Sequence, residues 1–286
     1  MEKIKLRHIT LLIIGLKIVL IAIVLIKYLP GATVEDLKFD ETFFWFLLAG
    51  FLAQMVDGAL GMAYGVTSNT ILLGFGLSPK LASTAVHTAE IFTTGVSGLS
   101  HIRFGNVNKK LFIKLIIPGM VSASIGAFLL GAVIDGTIIK PYIHAYLLIL
   151  GAMILFKAVK RKVVVSDNLR HAPLYAMIGG FLDSIGGGGW GPIVTSNLIK
   201  NGNTPSTVIG TVNTVEFFVT YISAGILIYF TGIQSWQIIL GLILGGTLAA
   251  PFGAYITKKL EAKTMMIIVG ALIILTSFLS ILKTVF

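Results

Sequence analysis

The 286-residue chain has no cysteine, and only 12% of its residues are charged. The first absence excludes disulfides, thiol nucleophiles and thiolate metal sites. The second leaves about half the charge of an ordinary soluble domain. Acid is scarcer than base, with 12 Asp and Glu against 22 Lys and Arg. The five histidines, at positions 8, 87, 101, 144 and 171, show no metal-ligand spacing. A Gly-x-x-x-x-Gly-Lys-Ser/Thr phosphate loop is missing, so an ATP-driven pump would need another subunit. No Gly-x-Gly-Asp protease motif is present, and no cofactor is implied.

What the chain has in quantity is apolar sequence: 56% of residues, with a mean hydropathy of +0.94. These residues come in long runs and not in a two- or 3.6-residue pattern, so lipid is the expected solvent. The net charge of +10 is gathered in short clusters between the runs. That is the distribution of cytoplasmic loops, not of a nucleic-acid surface. Lys3, Lys5 and Arg7 precede an apolar stretch from Ile9 to Leu29, interrupted by Lys17. It is too long for a signal-peptide core and no cleavage site follows, so it reads as a retained first helix. Lys17 either snorkels to the interface or lies against the protein.

Beyond an acidic loop (Glu35, Asp36, Asp40, Glu41) come Phe43–Val56, a break at 57–61, and a second piece from Met62 to Phe75. Neither piece reaches the ~20 residues that cross a bilayer, so they read as a broken helix or re-entrant hairpin. A helix from Pro79 to His101, one over 111–134 and one over 142–156 complete a first unit. The second half then repeats the first in order. Gly50-Phe51-Leu52 answers Gly180-Phe181-Leu182, and Val66-Thr67-Ser68-Asn69 is identical to Val194-Thr195-Ser196-Asn197. Ser78-Pro79 answers Thr204-Pro205, Glu90 answers Glu216, Gly126-Ala127 answers Gly253-Ala254, and Gly151-Ala152 answers Gly270-Ala271. Basic residues cluster at 3–7, 103–110, 157–170 and 258–263, which puts those loops inside. The expected fold is therefore an all-α polytopic membrane protein with two repeats of opposite orientation. Residues 1–41 form the first helix and outside loop, 42–162 the first repeat, 163–172 a cytoplasmic linker and 173–286 the inverted second repeat. The N-terminus is expected in the cytoplasm and the C-terminus outside. Inverted repeats point to a transporter with its site where the repeats meet.

Two sets of residues are candidates for that site. Thr67, Ser68 and Asn69, and Gly191, Thr195, Ser196 and Asn197, open short helices after Gly-rich breaks. Helix N-termini carry free N–H groups and partial positive charge, which suits an anion. The alternative is that the glycines only allow close packing and the hydroxyls only cap. The second set is a polar stripe: His87, Glu90, Thr94 and Ser97 share one helical face, and Asn213, Glu216, Thr220 and Ser223 repeat it. Glu90 lies ~16 Å along its helix from Pro79. Glu90 and Glu216 carry protons or gate, or else are neutral acids bonded to neighbouring helices. Asp57 and Asp183, in the breaks, cap the half-helices or bind a coupling proton or Na+. Trp190 lines a cavity or fills space. Gly95-Val96-Ser97-Gly98 matches a short intramembrane serine protease motif, but no suitable histidine accompanies it.

The chain resembles the sulfite exporter TauE/SafE family of membrane transporters from about Phe46 to Ile281. The resemblance rests on Gly-Phe-Leu-Ala-Gln-Met-Val-Asp-Gly-Ala-Leu-Gly at 50–61 and Gly-Gly-Phe-Leu-Asp-Ser-Ile-Gly-Gly-Gly-Gly-Trp-Gly-Pro at 179–192. The Ser-Pro and Thr-Pro helix starts, each followed by a glutamate, complete it. Asp57-Gly58-Ala59 departs from a family pattern that is often richer in glycine. The resemblance implies a plasma-membrane carrier, not an enzyme, for sulfite, sulfonates or related sulfur compounds. Other readings are a passive anion channel and a cation-coupled carrier of a non-sulfur substrate. A homo-oligomer is compatible with the sequence.

The absence of native cysteine makes the orientation directly testable. In intact cells, Lys38→Cys and Thr137→Cys are expected to react with an impermeant maleimide. Lys109→Cys and Lys160→Cys are expected to react only after permeabilisation.

Overall fold

A computed structural model describes residues 6–28, 39–60, 62–159, 169–201, 203–234 and 236–256. Between 267 and 282 it describes residues 267, 270, 271, 273–275, 277–279, 281 and 282. Lys3, Lys5, Glu35, Asp36, Gly61, the linker at 160–168 and the basic cluster at 258–263 lie outside the described residues.

The described elements are all helical, and the molecule is an all-α polytopic membrane protein. Among the described residues, four helices are long and apolar enough to cross a membrane: Leu6–Ile26, Lys109–Val133, Gly136–Phe156 and Ser206–Thr231. Shorter apolar helices cover Glu41–Met55 and Trp236–Ala249. In chain order, α1 is Leu6–Tyr28, α2 Glu41–Leu60, α3 Tyr64–Gly74, α4 Pro79–Arg103 and α5 Lys109–Phe128. A π-helical turn, Leu129–Val133, extends α5, and α6 is Gly136–Val159. The second half has α7 (Ala172–Gly186), a π-helical turn at Gly191–Thr195 running into α8 (Ser196–Lys200), α9 (Pro205–Thr231) and α10 (Trp236–Ile256).

Local chemistry sets the helix starts. Ser78 Oγ accepts from Leu81 N–H at 3.4 Å, with Pro79 in the first helical position, where its missing N–H costs nothing. Asn108 Oδ1 accepts from Lys110 N–H and Leu111 N–H at 2.9 and 3.1 Å and so starts α5. α4 has 25 residues, yet it is too rich in Ser, Thr, His and Glu to face lipid. It is buried without interruption from Ala82 to Ile91.

Pairing between the halves gives the bundle its form. α4 and α9 run antiparallel: Thr84 Oγ1 meets Thr231 Oγ1 at 3.0 Å near one end, and Asn213 Nδ2 donates to Ser97 Oγ at 3.0 Å near the other. α2 lies parallel to α10, with Gly241 against Phe43 and Phe46, and Gly245 against Leu47 and Phe51. α7 lies parallel to α5, joined by Ser122 Oγ donating to Ala176 O at 3.4 Å and by Gly126 against Phe181. α6 meets the 270–274 segment through Gly151 and Gly270. Small residues let these backbones touch where lipid offers no hydrophobic drive for helix association. α1 stands at the rim. Ile9 and Ile13 are buried while Leu11, Leu12 and Ile18 are exposed. Lys17 does lie against the protein, its Nζ 3.5 Å from Phe92 O on α4.

Two expectations need correction. The first break is narrower than 57–61, because α2 continues through Leu60 and α3 begins at Tyr64. Consequently α2 has 20 residues, enough to cross ~30 Å, and only α3, with 11 residues, is too short. The sequence hides this because Gly58 was taken as a helix breaker, whereas the helix tolerates a single glycine at a cost of about 1 kcal/mol.

The close glycine contacts make a stability prediction. A Cβ on Gly50 would stand 2.7 Å from Leu242 Cα, and one on Gly180 2.8 Å from Ser122 Oγ. Gly50→Val and Gly180→Val are each expected to cost about 1–3 kcal/mol or more by overpacking, read as a lower thermal midpoint in detergent. Gly225→Ala, with nothing within 4 Å of its added Cβ, should not lower the midpoint, since alanine is the better helix former.

Candidate functional site

α2 and α7 both stop inside the protein, and each carries an aspartate one turn before its end, at Asp57 and Asp183. Asp183 Oδ1 accepts from Trp190 N–H at 3.0 Å, at the start of the following half-helix. Asp57 stands at the matching place before the Tyr64 backbone amide. Asp183 thus spans the break that follows it and caps the next helix. The Ser, Thr and Asn residues expected to cap do not: the N-cap positions are Ala63 and Trp190, without side-chain bonds. Ala63 holds φ at +126°, a conformation rare for a residue with a Cβ. At the other break Gly187 ends α7 at φ +66°, its N–H donating to Asp183 O at 2.7 Å, the left-handed cap that glycine adopts without penalty.

The two breaks meet. A Cβ on Gly65 would lie 3.1 Å from both Gly187 O and Gly188 Cα. Asn69 Nδ2 donates to Gly186 O across the contact, and Ser196 Oγ reaches Met62 Sδ at 3.4 Å in the opposite sense. Tyr146 of α6 donates from its hydroxyl to Gly188 O at 2.8 Å. Sequence reasoning missed Tyr146; its signal was a phenol two residues beyond His144 in α6.

Beside this contact lies a buried polar cluster. His87 Nε2 is 3.2 Å from Asp183 Oδ2, and His87 Nδ1 donates to Ser83 O at 2.8 Å. Ser83 Oγ donates to Ser184 O at 3.1 Å. His87 therefore pairs across the halves with Asp183. Glu90 is 2% exposed; its Oε1 approaches Gly65, and its Oε2 has no hydrogen-bond partner among the described residues. Thr67 Oγ1, Asn69 Oδ1 and Thr195 Oγ1 are also buried without a partner there. Glu216 is half-buried on α9, within coulombic range of Asp57 and Asp183.

The remaining candidates separate. The identical tetrapeptides are not in identical places. Asn69 lies one turn and a half beyond Tyr64, whereas Asn197 lies two turns beyond Trp190, after a π-helical turn. As a result Asn197 is half-buried and its Nδ2 folds back to Ile193 O at 2.7 Å. Gly191 and Thr195 are buried in the π-helical turn, and Ser68 is buried in α3. Asn213 faces Ser97, so the serine of the protease-like motif has an asparagine beside it and not a histidine. Trp190 fills space: fully buried beside Gly119 and Gly179, it donates from Nε1 to Val212 O at 3.3 Å. At the end of the bundle where α5 and α9 start, a cleft of about 310 Å³ is lined by Asn108, Lys110, Leu169, Asn203, Thr204 and Thr207 among others.

Comparison with known proteins bears on this arrangement. The profile of the family described as sulfite exporter TauE/SafE matches residues 46–279. The "Probable membrane transporter protein YtnM" of Bacillus subtilis (strain 168) is 42% identical over 242 residues, covering 81% of this chain and 80% of that protein. No solved structure matches.

Removing the Asp183 carboxylate would orphan both the buried His87 imidazole and the Trp190 N–H. Asp183→Ala is expected to destabilise by about 3–5 kcal/mol, as loss of one member of a buried pair does. Asn197→Ala, whose amide bonds only its own turn, is expected to cost far less. Chemical unfolding in detergent, followed by tryptophan fluorescence, would compare them.

Proposed function

The chain belongs to the sulfite exporter TauE/SafE family of membrane transporters, and within that class we propose that it is a secondary carrier of a small sulfur anion. The substrate class is a sulfur oxyanion or organosulfonate, such as sulfite or sulfoacetate. One observation carries the reading: Thr67 and Thr195, in the two half-helices that meet at Gly65 and Gly188, hold buried hydroxyls without partners among the described residues. Buried hydroxyls are normally bonded, and a tetrahedral or pyramidal oxyanion supplies several acceptors at once. Two half-helix starts add partial positive charge.

The carboxylates nearby do not defeat this. Asp183 faces His87 Nε2 with one oxygen and holds the Trp190 N–H with the other, so both its oxygens already have partners. Glu90 and Glu216 gate the site or carry coupling protons. The cleft with Lys110 collects anions at the basic end, which the loop charges place in the cytoplasm. The antiparallel α4–α9 contact and the exchanged α2–α10 and α5–α7 pairs support two halves of opposite orientation, residues 42–162 and 173–286. Rocking one half against the other would open the Gly65–Gly188 contact to each side in turn. Because the tips touch, passage needs that movement, which favours a carrier over an open anion channel.

Proteoliposomes would test this with sulfite, thiosulfate, sulfate, sulfoacetate, taurine and a neutral sugar, with and without a pH gradient. Saturable flux of a sulfur anion is expected, with exchange of labelled for unlabelled substrate. Thr67→Val and Thr195→Val, each removing a hydrogen bond to a charged group, should cut uptake at low substrate by about tenfold or more. Flux of none of the sulfur anions under any gradient would sink the substrate reading, and currents far above carrier turnover would sink the carrier.

A further inference from the structure

We infer that His87, Glu90 and Asp183 form a binding site for one divalent transition-metal ion, with an imidazole nitrogen and two carboxylates as ligands. Their ligand atoms all lie within 4.8 Å of one another, and all three residues are buried. The set joins two elements from opposite halves, α4 and α7.

Four features point to a cation between these groups. First, His87 Nδ1 faces Ser83 O at 2.8 Å. A carbonyl only accepts, so Nδ1 carries a proton, and Nε2 is the ring nitrogen that faces Asp183. This backbone-held imidazole is the usual outer arrangement of a metal-ligating histidine. Second, Nε2 and Asp183 Oδ2 stand 3.2 Å apart. Two donors bound to one ion at about 2.0–2.1 Å are separated by about 3.3 Å in a tetrahedron. Third, the other Asp183 oxygen is held by Trp190 N–H at 3.0 Å, which orients the carboxylate as outer-shell bonds do. Fourth, Glu90 Oε2 is buried without a partner among the described residues, though a buried carboxylate oxygen is costly unless bonded or charge-compensated. Two carboxylates and a neutral imidazole are balanced by a divalent charge. A donor set of nitrogen and oxygen without sulfur suits Zn²⁺, Co²⁺ or Mn²⁺ and not a soft ion. Such an ion would pin α4 to α7 at the point where the breaks meet.

The test is binding, not flux, so its outcome is separate from that of the sulfur-anion reading. The purified, metal-stripped full chain in detergent would be titrated with Co²⁺, followed by visible absorption, and with Zn²⁺ by equilibrium dialysis. One ion per chain is expected. A variant lacking His8, His101 and His171 should bind as the wild type does. Loss of outer-shell partners alone costs about 10–100-fold in affinity, so Glu90→Gln and Asp183→Asn should each cost at least about 100-fold. If those variants do not fold, X-ray absorption of the Zn²⁺-loaded wild type decides, with one imidazole and oxygen donors expected. No binding up to millimolar ion, loss of binding in the triple-histidine variant, or more than one imidazole on the ion would overturn the inference. A proton shared by His87 and Asp183 would then be the occupant of the gap.

Discussion

A polar backbone group buried away from water must find a partner inside the protein, and in lipid there is no exception. Much of this structure follows from that constraint acting at two places where a helix stops in the interior. A break exposes carbonyls on one side and N–H groups on the other. Here Asp183 reaches over the gap to the next helix, Asn69 takes up Gly186 O, and Tyr146 takes up Gly188 O. The glycines bring the two breaks near enough for each to supply the other. Neither would be satisfied alone.

The same dependence appears at the level of packing. α2 is completed by α10 and α7 by α5, so each half covers the leading helix of the other. α4 and α9 form the seam, where both helices bury hydroxyls and amides that lipid would not tolerate. The polar stripes thus hold the seam together and, on the reading proposed above, also serve the site. Ser97–Asn213 and Ser184–Ser223 are cross-links, whereas Thr67, Thr195 and Glu90 keep atoms in reserve. That division is the physical basis for separating scaffold from site.

Much of the fold was legible in the sequence, because apolar runs, proline after serine or threonine, and ordered repeats each have one simple cause. Ser78 and Pro79 marked the start of α4 to the residue. The site was legible only in part. Glu90 and Asp183 were singled out, yet nothing in spacing reveals that residues 96 positions apart, His87 and Asp183, face each other. The twin Val-Thr-Ser-Asn segments misled in detail: a π-helical turn shifts the second relative to its cap, so equal letters have unequal surroundings. The first break reads wider in the sequence than it is, because glycine content and not hydrogen bonding is the signal there.

The pairing of α2 with α10 has a consequence for how the chain is made. Asp40 N–H donates to Gln237 Oε1, 197 residues later. During synthesis the first half leaves the ribosome long before the helix it packs against exists. Until then its Gly50 surface, its half-helix tip and His87 have no native neighbours. Contacts of such sequence separation form slowly, so the nascent first half must dwell in the membrane as an incomplete object. Its stability in that interval comes from lipid-facing span and helix alone, and final closure of the site is an event of the C-terminal half.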